Sequence, residues 1–257
     1  MRIVLLSDIH GNTLALDAVL ADIEALGGVE QIWVLGDLVA MGPDPVGVLE
    51  RLTALPHVRC TYGNTERYVL DGRRPWPQVE DVLAEPSLMP RLLQIARNFG
   101  WTEGALAAAG WLDWLAELPL ELALTLPDGA RLLGVHARPG HFDGHGLRPG
   151  LKPEQLDALT DGCPADLVCV GHTHWAMQLV HNDIYLVNLG SVSNPVQEDW
   201  RASYVLLEAD EAGYQLEIRK VDYDHGVVIS QLVAQKHPAL DTIRGFLSGQ
   251  RRPFWEQ

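Results

Sequence analysis

Cysteine is scarce. Cys60, Cys163 and Cys169 are the three in 257 residues, an odd number with no C-x-x-C spacing. This excludes a framework of paired disulfides, a zinc ribbon and a dithiol redox pair, and it leaves three small side chains expected to pack as buried hydrophobes. No run reaches about 18 apolar residues, so no membrane-spanning helix is expected. The opening MRIVLLSDIH meets polar residues too soon for a signal-peptide core. Positive charge is short as well: 19 Lys and Arg face 34 Asp and Glu, for a formal net charge of -15. A nucleic-acid coat needs a basic surface to displace counterions, so nucleic acid is disfavoured as a partner. Together these absences read as a soluble, cytoplasmic protein without a membrane partner; whether it forms a homo-oligomer stays open. An acidic chain still binds a small phosphate ester where a cationic centre sits inside a cleft, and divalent metal ions supply such a centre.

What is present reads as an α/β protein. Hydrophobic residues make up 47% of the chain, enough to bury a full core. Residues 2-6 (RIVLL) and 32-35 (IWVL) are short apolar runs that end in polar clusters, as buried strands do. Between them Leu14, Leu16, Val19, Leu20, Ile23 and Leu26 recur at roughly helical spacing, and Gly27-Gly28 supplies a stop. This is a β-α-β unit with parallel strands and a right-handed crossover. A helix near 46-54 and a strand near 57-62 repeat it. From 66 to about 119 the pattern turns helical, with prolines at 75, 77, 86 and 90 and tryptophans at 76, 101, 111 and 114. Two readings of this insertion stay open: a lid that stacks a base or an aromatic leaving group, and ordinary helical packing. Strand-like runs follow at 120-126, 131-135, 167-170, 176-181, 184-189, 203-208 and 214-221, with a tight hairpin at Asn182-Asp183 and a helical tail at 226-247. No repeat or low-complexity linker interrupts the chain, which reads as one domain over 1-257.

Seven side chains stand just after apolar strands: Asp8, His10, Asp37, Asn64, His136, His172 and His174. In α/β sheets the carboxyl ends of strands are where ligands collect, so distant segments can converge there. Carboxylate and amide oxygens mixed with imidazoles, without thiolate, suit Mn, Fe, Zn, Co or Ni rather than a calcium cage or a structural zinc. Seven ligands exceed one tetrahedral ion and suit two ions about 3.5–4 Å apart that share a carboxylate.

The runs DIHGN (8-12), GDLVAMGPDP (36-45), GNTE (63-66), VH (135-136) and GHTH (171-174), in this order, resemble the signature of calcineurin-like metallophosphoesterases, in particular the YfcE-type phosphodiesterases. The resemblance implies a four-layer αββα sandwich of two mixed sheets flanked by helices. It implies two divalent ions, manganese first, one on Asp8, His10 and His174, the other on Asn64, His136 and His172, with Asp37 bridging. A bridging hydroxide would attack phosphorus, and Asp37, Asn64 and His172 would take a catalytic part as well as a ligand part. Asn188, Gly190, Ser191 and Asn194 match the family's closing block and are expected to shape the site.

Two departures narrow the class. Where many members have G-N-H and then an acid, this chain has Gly63, Asn64, Thr65 and Glu66. The missing histidine normally serves the leaving group or the phosphate, so phosphodiesters with good leaving groups suit the site better than monoesters. The D-R-G arginine of protein phosphatases and symmetrical dinucleoside tetraphosphatases is also absent, replaced by Val39-Ala40-Met41-Gly42-Pro43. In H-F-D-G-H-G, His141 and His145 are candidate proton donors for the leaving group, against the plainer reading of a solvated loop. His57, His181, His225 and His237 read as surface or packing residues. The leading expectation is a metal-dependent phosphodiesterase acting on a small phosphate ester. The alternatives are a scaffold of the same fold, as in the retromer subunit that resembles these phosphodiesterases, and a phosphomonoesterase or protein phosphatase.

Overall fold

The computed structural model describes residues 1–250, so positions 251–257 of the expected single domain lie outside the described residues. Strand β1 (Arg2–Leu6), helix α1 (Thr13–Ala25), β2 (Gln31–Leu35), α2 (Pro45–Ala54) and β3 (Val58–Thr61) form the expected β-α-β-α-β start. The helix starts are written locally: Asn12 Oδ1 accepts from the Ala15 amide at 3.1 Å, and Asp44 Oδ1, with Pro45 following, accepts from the Gly47 amide at 2.8 Å. The insertion is α3 (Asn64–Asp71), α4 (Val79–Ala84), α5 (Met89–Ala109) and α6 (Leu112–Ala116). Then come β4 (Glu121–Thr125), β5 (Arg131–Val135), α7 (Pro153–Thr160), β6 (Leu167–Val170), β7 (Met177–His181), β8 (Ile184–Asn188), β9 (Ala202–Asp210), β10 (Gly213–Val221), α8 (His225–Ala234) and α9 (Leu240–Leu247).

Two five-stranded sheets result, ordered β10-β9-β1-β2-β3 and β4-β5-β6-β8-β7. In the first, β1, β2 and β3 run parallel and β9 and β10 add antiparallel on the β1 side; in the second, β5, β6 and β8 run parallel and both edge strands, β4 and β7, are antiparallel. Alternation along the strands sorts side chains into layers. Ile3 and Leu5 of β1, Trp33 and Leu35 of β2, and Leu167 and Cys169 of β6 meet between the sheets. Val4, Leu6 and Val34 face the other way, onto α1 and α2. Val168 and Val170 face Leu156 and Leu159 of α7. Helix, sheet, sheet, helix is the expected αββα order. The sheets approach so closely at Gly134 that an added Cβ would lie 2.8 Å from Leu35 and 2.9 Å from Trp33. Truncating the fully buried Trp33 would cost about 3–5 kcal/mol.

The helical tail differs from expectation in being two helices. Pro238 lacks the amide a helix needs, Lys236 turns left-handed at φ 50°, and the chain folds α9 back beside α8. This bend carries α9 to the insertion, where Gln94 Nε2 donates to Thr242 Oγ1 at 3.2 Å and Trp101 packs edge-on against His237 at 4.2 Å. Cys60 and Cys169 are buried as expected, and Cys163 is partly exposed; none forms a disulfide.

Candidate metal centre

At each strand end the chain must turn sharply before the next element, and it turns on the candidate ligands. Asp8, His10, Asp37, His172 and His174 have φ of 59°, 49°, 53°, 69° and 59°, the left-handed region that non-glycine residues avoid. Each such residue costs of order 1 kcal/mol or more and persists only where its surroundings over-determine it, as at functional sites. Glycines allow the close approach: a Cβ on Gly36 would lie 2.6 Å from the Gly63 nitrogen, and one on Gly171 would collide with the Ser7 hydroxyl.

The turns bring the seven side chains into two groups that share Asp37. In the first, ligand atoms of Asp8, His10, Asp37 and His174 all lie within 4.8 Å of one another, and all four residues are buried. In the second, Asn64 Oδ1 lies 3.0 Å from His136 Nε2 and 2.8 Å from His172 Nδ1. Asp37 reaches both, with Oδ1 3.3 Å from His136 Nε2 and Oδ2 3.7 Å from His10 Nε2.

The surroundings aim these atoms inward. His136 Nδ1 donates to the Leu35 carbonyl at 2.8 Å and His174 Nδ1 to that of Asn194 at 2.6 Å, which leaves both Nε2 atoms with lone pairs toward the centre. Asp8 Oδ2 accepts from Ser7 Oγ at 2.7 Å and from the His172 amide at 3.0 Å. Its Oδ1 is buried with no hydrogen-bond partner, 3.1 Å from His174 Nε2. His10 Nε2 and His174 Nε2 face each other at 3.1 Å. A buried acceptor without a donor and two imidazole nitrogens converging on it fit a cation between them, so the donor set accommodates the implied metal.

Electrostatics say the same. Burial raises the Asp8 carboxyl, but the facing His174 outweighs it, with His136 and His10 adding, and the group is held far below the ordinary carboxylate range. Burial lowers His136 and His174, but the nearby carboxylates, Asp37 then Asp8 for His136 and Asp8 then Asp37 for His174, together with the carbonyls that each Nδ1 meets, outweigh it and both imidazoles are raised. Burial, with the neighbouring imidazoles, pushes His10 down to about 3 and His172 down to about 4. The carboxylates thus draw positive charge into the cluster, a demand that a divalent cation meets.

The pattern of the calcineurin-like phosphoesterase superfamily domain matches residues 1–212. The chain belongs to this superfamily. It is 28% identical over 251 residues to the uncharacterized protein MJ0912 of Methanocaldococcus jannaschii, covering 92% of this chain and 93% of that one. A shorter stretch of 144 residues is 32% identical to the symmetrical bis(5'-nucleosyl)-tetraphosphatase of Pectobacterium carotovorum, covering 53% of this chain and 43% of that protein. The crystal structure of a metallophosphoesterase from Sphaerobacter thermophilus has the same fold, with a TM-score of 0.74 at 24% identity over 97% of this chain and 98% of that one. No described helix is long and apolar enough to cross a membrane.

Within this superfamily fold, a cleft of about 1100 Å³ opens over the centre and is lined by His10, Asp37, Asn64, His172 and His174, with Asp8 and His136 buried beneath. Its far wall comes from the insertion and α9. His141 and His145 are exposed and do not line the cleft, whereas Asp143 and Gly144 between them do. Tyr68 donates to Asp143 Oδ2 at 2.6 Å, and the Gly144 carbonyl lies 2.9 Å from His172 Nε2. Asn188 and Ser191 do shape the site: Asn188 Nδ2 donates to the Gly171 carbonyl at 2.9 Å and Ser191 Oγ to that of Asp8 at 2.9 Å.

The sequence pattern alone gives Glu66 no role beyond its place in the G-N-T-E run. Fully buried, it accepts backbone amides of Asp37, Leu38, Val39 and Gly63 and so fixes the turn that presents Asp37. Burial, reinforced by the Asp37 charge, pushes its carboxyl up to about 7. The available signal was its place two residues after Asn64, since an acid there can reach the amides of a preceding turn.

Proposed function

We propose that this protein is a dinuclear metal-dependent phosphodiesterase acting on small phosphate esters, with Mn²⁺ as the preferred ion. The observation that carries the reading is the pair of ligand groups joined through Asp37 at the head of an open cleft. Divalent ions held there supply positive charge for the phosphoryl oxygens and a water of lowered pKa. The protein's own part is orientation. The Leu35 and Asn194 carbonyls fix two imidazole tautomers, and Thr65 fixes Asp37 by donating its amide at 2.9 Å and its hydroxyl at 3.1 Å to Oδ1.

Thr65 also supports the choice of diester. It is 4% exposed, with its hydroxyl turned to Asp37, so the position that carries histidine in many relatives presents no imidazole to a leaving group. A dianionic monoester needs more charge stabilisation and more help for its leaving group than a monoanionic diester. With Mn²⁺, bis(p-nitrophenyl) phosphate should therefore be cleaved faster than p-nitrophenyl phosphate; a clear monoester preference overturns the diester reading. Thr65 equally favours a second reading, a metal-binding scaffold with little catalysis, and the absence of any metal-dependent rate on the activated diester would establish it.

A further inference from the structure

We propose that the face of α5 turned toward the cleft, together with Trp76, is a specificity subsite for a planar, hydrogen-bonding ring on the substrate, a nitrogen heterocycle of the nucleobase kind. This rests on the phosphodiesterase reading and names the group that the diester carries away from phosphorus. Arg91, Gln94 and Asn98 stand at i, i+3 and i+7 on α5, hence on one face, and all three line the cleft that the metal-centre residues line. Of the insertion's four tryptophans, Trp76 is the one that lines this cleft, and it is half exposed. The Arg91 guanidinium lies over its ring, 4.6 Å from the centroid. Arg73 and Arg74 are tied to Asp71 and Glu103, whereas Arg91 has no acidic partner among the described residues. The Trp76 indole, with the Arg91 guanidinium over it, thus lines the same cleft as the apolar side chains of Ile95 and Phe99.

Asn98 decides what that lining takes. The residue is 7% exposed, lines the cleft, and its side-chain oxygen is buried without a hydrogen-bond partner. An unmatched buried acceptor is costly until a donor arrives. A second phosphate on the substrate would answer Arg91 but offers only acceptors, and an alkyl chain offers nothing polar. A heterocycle with an imide or amino N–H gives Asn98 its donor and lays its π-face against Trp76 and Arg91.

Two diesters with the same leaving group test this with the full chain and Mn²⁺: thymidine 5'-(p-nitrophenyl) phosphate and methyl p-nitrophenyl phosphate. The parent should prefer the thymidine ester by about tenfold in kcat/KM, the low end of what stacking one base supplies, and chiefly through KM. Trp76→Ala and Asn98→Ala should each bring the ratio most of the way to one, and Trp76→Phe should restore much of it. Leu83→Ala, on an exposed residue outside the cleft, should leave the ratio as in the parent. A ratio near one in the parent, or a ratio unmoved by Trp76→Ala, overturns the subsite. If Asn98→Ala fails to fold, the half-exposed Trp76 series carries the test. Saturation-transfer NMR with thymidine 5'-monophosphate gives a readout without catalysis: the base protons should take up more saturation than the sugar protons in the parent and not in Trp76→Ala. If neither ester is cleaved, the phosphodiesterase reading fails, and this NMR contrast alone decides the subsite.

Discussion

Glu66 Oε2 accepts the backbone amide of Asp37 at 2.9 Å, so the carboxylate shared by the two ligand groups is itself held from below by a second buried carboxylate. The same oxygen accepts from Gly63 at 2.7 Å, and Oε1 accepts from Leu38 at 2.8 Å and Val39 at 3.1 Å. One side chain thus ties the turn after β2 to the start of α3, the two segments that carry Asp37 and Asn64.

Glu66→Ala would strand four buried N–H groups. An unmet buried donor costs about 1–3 kcal/mol, and water entering the vacated space relieves part of that, so a loss on the order of 4 kcal/mol is expected. Urea unfolding of the metal-free protein measures it. A loss under about 1 kcal/mol would mean that the turn is held by something other than these bonds.

Asp37 should matter more for metal retention than any ligand belonging to one group, because it faces both. After reconstitution with Mn²⁺ and dialysis, elemental analysis should find about two ions per parent chain. Asp8→Asn and His136→Ala should each weaken chiefly their own group, and Asp37→Asn should lose both. A parent holding one ion sinks the dinuclear assignment; an Asp37→Asn protein that retains the parent content sinks the bridging one.

Much of this arrangement is readable from residue order. The apolar runs at 2-6 and 32-35 with helical spacing between them, and the Asn182-Asp183 turn, are local signals, and both β-α-β and the β7-β8 hairpin stand where those signals put them. All seven candidate ligand positions lie within four residues beyond a strand end, and Asn64 among them opens a helix. What local pattern does not carry is partner choice. Nothing in Ala202–Asp210 says that β9 lies antiparallel to β1 with Leu5 opposite Val205, because that pairing depends on the whole sheet. Nor does the Trp-rich stretch reveal which tryptophan faces the cleft: Trp101 packs on His237, Trp111 and Trp114 pack on the core, and helical spacing alone does not separate these from Trp76.

The contact between α5 and the α8–α9 bend should make stability pH-dependent through His237. This side chain is 3% exposed, its Nδ1 accepts from the Ala239 amide at 3.1 Å, and burial pushes its pKa down to about 4, against about 6.5 in an unfolded chain. Between those values the unfolded state binds more protons, so the native state loses stability as pH falls from about 6.5 toward 4, by about 3 kcal/mol at most. His237→Asn keeps an acceptor for Ala239 and removes the titration. Urea unfolding at both ends of this window should show a smaller acid loss in the variant than in the parent; equal losses would clear His237 of the effect.

The proton for the leaving oxygen is the remaining question that mutation can answer, and the loop after β5 frames it. It carries His141 and His145, both exposed and outside the cleft lining, and Asp143, which lines the cleft and accepts from Tyr68. An acid contributes about 10²–10⁴-fold for a poor leaving group and little for nitrophenolate, which leaves well unprotonated. His141→Ala and His145→Ala should therefore stay within a few-fold of the parent on nitrophenyl diesters whatever their role, and the information lies in alkyl diesters. From the exposure of both side chains we expect near-parent rates there too, with metal content unchanged. A loss of about 100-fold or more on alkyl diesters in either variant, with nitrophenyl rates intact, would instead make that histidine the leaving-group acid and would require the loop to close over the cleft during turnover.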